Sequence, residues 1–224
     1  MSLSDGSKPV KLANQCTQEY LSGILQGAGP SPNNFECGFY LAANLSENLR
    51  SQIWNIFEEN MQSLYIDSST GWVPSDKRTE LFHVLARYIL LTPAGNPDEI
   101  VCYSTFRFEH EDGEDLLYCY ELQVDRAHQH KGFGRFLIGT LETIGRKMLM
   151  EKVMLTVLAA NKAALEFYKA IGYYAHHFCL SASVFDISIR FQLDPCSPTY
   201  HDGDEEGAEN DKDIDYQILS KSLT

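Results

Sequence analysis

Glu121 is the only charged residue in the run from Leu116 to Val124, LLYCYELQV. A lone charge at the centre of so apolar and aromatic a strand is unusual, which makes this carboxylate a candidate general base. The alternative is a solvated carboxylate at a strand edge. A short distance on, the stretch Gln129, His130, Lys131, Gly132, Phe133, Gly134 and Arg135 combines two glycines with positive charge at the start of an apolar-periodic segment. Glycines let the backbone approach an anion closely, and the first-turn N–H groups of a helix point at it along the positive end of the helix dipole. A plain glycine turn before an ordinary helix would use the same residues. The stretch is not a dinucleotide fingerprint, since Leu137 stands where a third glycine would be required. Farther along, Tyr168 offers a phenolic proton and Asn161 an amide. A core aromatic and a helix N-cap are their structural alternatives.

The elements that must position these residues are legible from period and punctuation. A short helix is expected from Gln15 to Leu25, then a link rich in Gly, Pro and Asn, then a strand from Glu36 to Leu45. Ser46 is a suitable N-cap for an amphipathic helix carrying Leu49, Ile53, Ile56, Phe57, Met61 and Leu64 and ending near Tyr65. Strands follow at Arg87 to Leu91, Ile100 to Phe108 and Leu116 to Val124, the last two joined across Asp112-Gly113, a hairpin signal. A helix from Phe133 to Met148, a strand from Val153 to Leu158 and a helix from Lys162 to Ile171 stopped by Gly172 come next. Phe178 to Leu193 is rich in β-formers, and Tyr216 to Leu219 reads as a last strand. Strict alternation would send Tyr118 and Tyr120 to one face and Cys119 and Glu121 to the other unless a bulge intervenes. The order implies a mixed α/β (α+β) sheet, and 224 residues suffice for one domain with a substantial core.

Composition narrows the partners. The formal net charge is −13, and eight acids between Asp202 and Asp215 against Lys212 account for −7 of it. The remaining −6 still disfavours nucleic acid or an anionic membrane and suits a basic peptide. The six cysteines show no C-x-x-C spacing, consistent with reduced, mostly buried thiols and no metal framework. The first residues contain no apolar signal segment, so cytosol and nucleus are the expected compartments.

The loop QHKGFGRF, the strand before it, VMLTV after its helix, then Asn161 and LEFYKAIGY, together resemble the GNAT acetyltransferase superfamily over about residues 36–173. Its acetyl-CoA loop has the pattern Q/R-x-x-G-x-G/A after a bulged central strand. The resemblance implies a mainly antiparallel central sheet flanked by helices in a single domain over 36–224, with residues 1–35 as an arm packed on it. FRFEHEDGEDLLYCYELQV, KVMLTV and DYQILSK further resemble the NatD type of N-terminal α-acetyltransferase. That type modifies the two core histones whose chains begin Ser-Gly-Arg-Gly-Lys.

By this resemblance acetyl-CoA is the co-substrate, no metal takes part, and the protein is expected as a monomer acting on basic histone tails, with the ribosome a candidate partner. The cofactor would meet backbone groups of Leu122, Gln123 and Val124, the loop from His130 through Lys131, Gly132, Phe133 and Gly134 to Arg135, and Asn161. Glu121 would be the base, directly or through a water, for an α-amine that is partly protonated at neutrality. Tyr120 would share its cleft, and Tyr168 would protonate the departing thiolate. Peptide contacts would fall to Tyr65, Glu109, His110, Glu111, Tyr120, Thr156 and Tyr216, with Glu109 facing an arginine of the tail. Without the resemblance, EHEDGED is a solvated hairpin tip.

Three features depart from the family pattern. The stretch after Gly172 is long, with an inserted hairpin expected near 174–191 and an acidic loop near 202–215. A Lys-rich N-terminal segment is missing, and Thr70 stands where a tryptophan is expected, leaving Trp72 nearby.

Overall fold

Two helices lead into the sheet in the computed structural model, which describes residues 6–27, 31–174 and 215–224. The expected strand at Phe178 to Leu193, the hairpin near 174–191 and nearly all of the acidic loop fall outside the described residues. Helix α1 (Lys8–Gln15) starts at Ser7, whose hydroxyl accepts from the N–H of Val10 at 3.2 Å, with Pro9 in its first turn. Cys16 then turns extended and α2 (Gln18–Gly27) begins. The helix expected from Gln15 to Leu25 is α2, which starts at Gln18 because the chain turns extended at Cys16, and α1 before it was not expected. Val10, Ala13 and Leu21 are buried, so the arm forms part of the core. Arg87 fixes it from below: its guanidinium donates to the carbonyls of Asn14 at 3.0 Å and Ala13 at 3.5 Å, at the negative end of α1.

The sheet runs in chain order: β1 (Phe35–Leu41), β2 (Arg87–Pro93), β3 (Cys102–Glu111), β4 (Glu114–Val124), β5 (Lys152–Leu158) and β6 (Tyr216–Ser222). All neighbours pair antiparallel except β4 and β5, which are parallel. That pair needs a crossover, supplied by α5 (Phe133–Lys147). The expected single α/β domain, a mainly antiparallel sheet flanked by helices, is the fold found. β1 stops at Leu41, short of the expected Leu45, where Ala42–Asn44 form a 3₁₀ turn tied by the Ala42 N–H to the Ala86 carbonyl at 3.1 Å.

Burial follows the apolar stripes. On one face Leu137, Leu141 and Ile144 of α5 cover Leu117, Val153 and Leu155, joined by α1, α2 and Leu165 of α6 (Lys162–Ala170). On the other, Ile53, Trp54 and Phe57 of α3 (Glu47–Ile66) pack with Tyr88, Leu90 and Tyr103, and α4 (Pro74–Leu81) adds Leu81. Ser46 caps α3 as its type predicts, accepting from the Leu49 N–H at 3.3 Å. α4 was not expected: it is short and polar, and lacks an apolar stripe by which to find it.

Candidate active site

The strand that carries Glu121 breaks its own alternation. Across β3 and β4, Phe106 faces Cys119 and Thr105 faces Glu121, so Tyr120 is an extra residue opposite a peptide bond of β3. Such a bulge shifts the side-chain period by one. Leu117 and Cys119 before it, and Leu122 and Val124 after it, all lie against the α5 face. Tyr118, Tyr120 and Glu121 consequently converge on the opposite side, where they line one cavity of about 380 Å³. The convergence of Tyr120 and Glu121 anticipated from the sequence thus has a definite cause in the register.

Glu121 lies deep in that cavity, and burial pushes its carboxyl up to about 7. The Lys77 ammonium and the Gln123 amide, which donates to Oε2 at 2.7 Å, pull it down without cancelling the desolvation. Lys77 comes from α4, where it pairs with Glu80 at 2.8 Å and sits 4.6 Å from the centre of the Tyr65 ring. Its own desolvation is outweighed by Glu121, Tyr65 and Glu80, which hold it charged. Burial, with Glu121 second, raises the Tyr65 phenol to about 12. Tyr168 is buried, and desolvation keeps it protonated far above the ordinary phenol range.

The expected peptide contacts divide. Tyr65, Thr156 and Tyr216, contributed by α3, β5 and β6, line the cavity with Tyr120. Tyr118 hydrogen-bonds Thr156 and lies 4.9 Å from the Tyr120 ring. Glu109 reaches the site through Tyr120, whose hydroxyl donates to its Oε1 at 2.7 Å, while Arg107 stacks on the same ring at 4.0 Å. Glu111 touches Glu109, and burial plus that neighbouring carboxylate raise its affinity for a proton. His110 turns back into the hairpin and bonds Asp115 at 2.6 Å, so it is not brought to the cavity. Thr70 lines the cavity, whereas Trp72 packs with Trp54, Phe57 and Tyr65. Lys77 and Glu80 were not anticipated from the sequence, and Tyr118 was placed beside Tyr120 only by alternation, without a role in the site. Pro74 at the start of α4 was the available signal for the first two.

Along the same cavity, β4 and β5 part company. Their ladder ends at Cys119 and Leu155, although the strands continue to Val124 and Leu158. Leu122, Gln123 and Asn161 line the wedge so opened. Asn161 also caps α6, accepting from the Ala164 N–H at 3.1 Å. Past the end of β4, Gly132 adopts φ 87° as the N-cap of α5 and has no side chain to satisfy the first-turn N–H groups. His130, Lys131 and Arg135 are exposed around it, outside the cavity lining, and the Lys131 ammonium donates to the Ala127 carbonyl at 2.8 Å.

Residues 51–173, more than half of the chain, match the acetyltransferase (GNAT) family. The chain belongs to the GNAT acetyltransferase family. Solved GNAT-fold structures agree on the architecture. An acetyltransferase of the GNAT family from Staphylococcus aureus Mu50 aligns with a TM-score of 0.53 at 10% identity, over 84% of this chain and 100% of its own. A chain of the NatC complex bound to Gag peptide and CoA gives 0.51 at 14% identity, covering 84% and 99%. YncA from Salmonella typhimurium, solved with its cofactor acetyl-CoA, gives 0.51 at 16% identity, covering 86% and 95%.

GNAT acetyltransferases use acetyl-CoA, and the residues present fit it. The β4–β5 ladder opens past Cys119, and the α5 N-terminus that follows β4 has no side-chain cap, which suits a pyrophosphate. A Cβ at Gly134 would lie 3.2 Å from the Phe167 ring, so a larger residue there would push that ring by a few tenths of an ångström. Among the described residues no cluster of His, Cys, Asp and Glu is arranged to hold a metal ion.

Proposed function

We propose that this GNAT acetyltransferase modifies the N-terminal α-amine of proteins with basic tails, of the histone type beginning Ser-Gly-Arg-Gly-Lys. The observation that carries the reading is the bulge at Tyr120, which turns a near-neutral carboxyl into a tyrosine-walled cavity with acids at its rim. An α-amine has a reference pKa of about 7.7–8.0. A base titrating near 7 can therefore take its proton at physiological pH without being neutralised first.

Acetyl-CoA supplies an activated acetyl thioester. Glu121 accepts the proton that the amine must lose, directly or through a water, as the N–C bond forms and the C–S bond breaks. Tyr168, whose side chain lines the same cavity, gives its proton to the departing sulfur. Backbone groups of Leu122, Gln123 and Val124 line up the pantetheine arm. The α5 N-terminus from Gly132 to Gly134, flanked by His130, Lys131 and Arg135, holds the pyrophosphate, and Asn161 contributes its amide beside the cap it makes.

Tyr65, Thr156 and Tyr216 enclose the first tail residues. Glu109, held by the Tyr120 hydroxyl through one oxygen, offers its carboxylate to a guanidinium of the tail, with Glu111 beside it. His110 supports this rim through Asp115.

Incubation with acetyl-CoA and a Ser-Gly-Arg-Gly-Lys peptide, read by fragmentation mass spectrometry, should place one acetyl on the terminal nitrogen. Acetyl found only on lysine overturns the proposal. A panel of peptides with other first residues separates a histone-type enzyme from one with a different set of N-termini.

A further inference from the structure

Gln123 keeps a side chain in the interior that no backbone contact with a cofactor would require. It is 6% exposed, and its amide nitrogen lies 2.7 Å from Glu121 Oε2. A carboxylate only accepts, so the Gln123 amide must present its NH₂ group to Glu121 and its oxygen the other way. That oxygen accepts at 3.1 Å from the amide nitrogen of Asn60 on α3, which also donates to the Val124 carbonyl at 3.0 Å. Both Asn60 hydrogens are thereby used, and the chain of donors has a single polarity running from α3 to Glu121. Each link fixes the orientation of the next.

We propose that Asn60 and Gln123 form a positioning relay that holds the carboxylate of Glu121 in its cavity-facing orientation and favours its ionised form. The proposal rests on Glu121 being the base. Other groups bear on the same carboxyl: Lys77 and Glu80 from α4, Tyr65 from α3, Tyr103 from β3, Cys119 beside it and Tyr168 from α6. Of these, Lys77 is itself held by Glu80 at 2.8 Å, whereas Gln123 donates to the carboxylate directly and is oriented by Asn60. The relay also joins α3 to β4 at the bulge. The shape of β4 alone sends Glu121 to the correct face, and the relay selects its rotamer there.

Gln123→Leu keeps the side-chain volume and removes the donor. The acid limb of kcat/KM should move up by about one pH unit, so that the rate at pH 6.5 falls about tenfold while the high-pH plateau changes less than about threefold. Asn60→Ala should shift the limb in the same direction by less, and the double variant no further than Gln123→Leu alone. It also supplies the same readout should Gln123→Leu fail to fold. A ¹³C titration of the Glu121 carboxyl in the full chain should show the same upward movement without reference to turnover. A limb and a titration that stay where they are, or a loss equal at every pH, overturn the relay. Full activity in Glu121→Gln would instead overturn the base, and the carboxyl titration still decides whether the relay exists.

Discussion

Burial holds a proton on Glu121 up to about pH 7, and both activity and stability inherit that midpoint. With Glu121 as the proposed base, activity requires its ionised form, so kcat/KM should rise with pH through about 7 and level off above it. Glu121→Gln should lower kcat by about 10²-fold or more while the affinity for acetyl-CoA is unchanged. For stability the sign is reversed. From the ordinary carboxylate value of 4.5 up to about 7 the folded chain keeps a proton that the unfolded chain releases. Stability therefore declines as pH rises across this interval, and the loss persists above it. Glu121→Gln removes that penalty, so its Tm at pH 8 should exceed that of the parent, with little difference at pH 4.5. Thermal melts at the two pH values check this. A variant that melts lower at pH 8 would mean that the ion pairing around Lys77 outweighs desolvation.

At the scale of elements, the start of α5 and the anchoring of α1 are the informative cases. Gly132→Ala tests backbone strain alone at φ 87°, with an expected cost of about 1 kcal/mol in stability. Gly132→Glu puts a negative charge where pyrophosphate would sit. No atom crowds a Cβ there, so the fold should survive while KM for acetyl-CoA rises at least about tenfold over the alanine variant. For α1, Arg87→Met strips the guanidinium from the carbonyls of Ala13 and Asn14, and denaturant melts should show a loss of about 2 kcal/mol or more. Hydrogen exchange should speed up first in Lys8–Gln15.

These elements also show what a sequence makes legible. The glycine loop, the caps at Ser46 and Asn161, the Asp112-Gly113 hairpin and the strands around it follow from local chemistry, which acts within a few residues. The bulge could be anticipated only through resemblance, since LYCYE is equally compatible with plain alternation. α4 was missed because PSDKRTEL buries only Leu81 and therefore shows no helical stripe, and with it went Lys77 and Glu80. That His110 pairs with Asp115 instead of facing the cavity depends on the hairpin geometry.

Over the whole molecule, charge is the dominant long-range property. A net −13 attracts a cationic tail from beyond contact distance, and salt weakens that attraction as the Debye length shortens to about 8 Å at physiological ionic strength. KM for the Ser-Gly-Arg-Gly-Lys peptide should rise several-fold between 50 and 300 mM salt with kcat nearly constant, whereas an uncharged peptide of equal length should show little change. Steady-state kinetics on the two peptides decides it. A salt-independent KM for the basic peptide would confine recognition to close contacts.

β6 is the last of the described strands, paired to β5 through seven consecutive residues and bridged to Tyr174 at Ser220, and it brings Tyr216 to the cavity. Asp215 just before it is clasped by the N–H and hydroxyl of Ser69 at 2.6 and 2.7 Å. The last ten residues, 215–224, thus contain their own register and their own latch. This makes the molecule a natural candidate for division into two genes, a large fragment lacking one wall and a decapeptide that slots in along β5 to restore it. Catalysis would then report on whether the two pieces had met, converting an acetyltransferase into a proximity sensor.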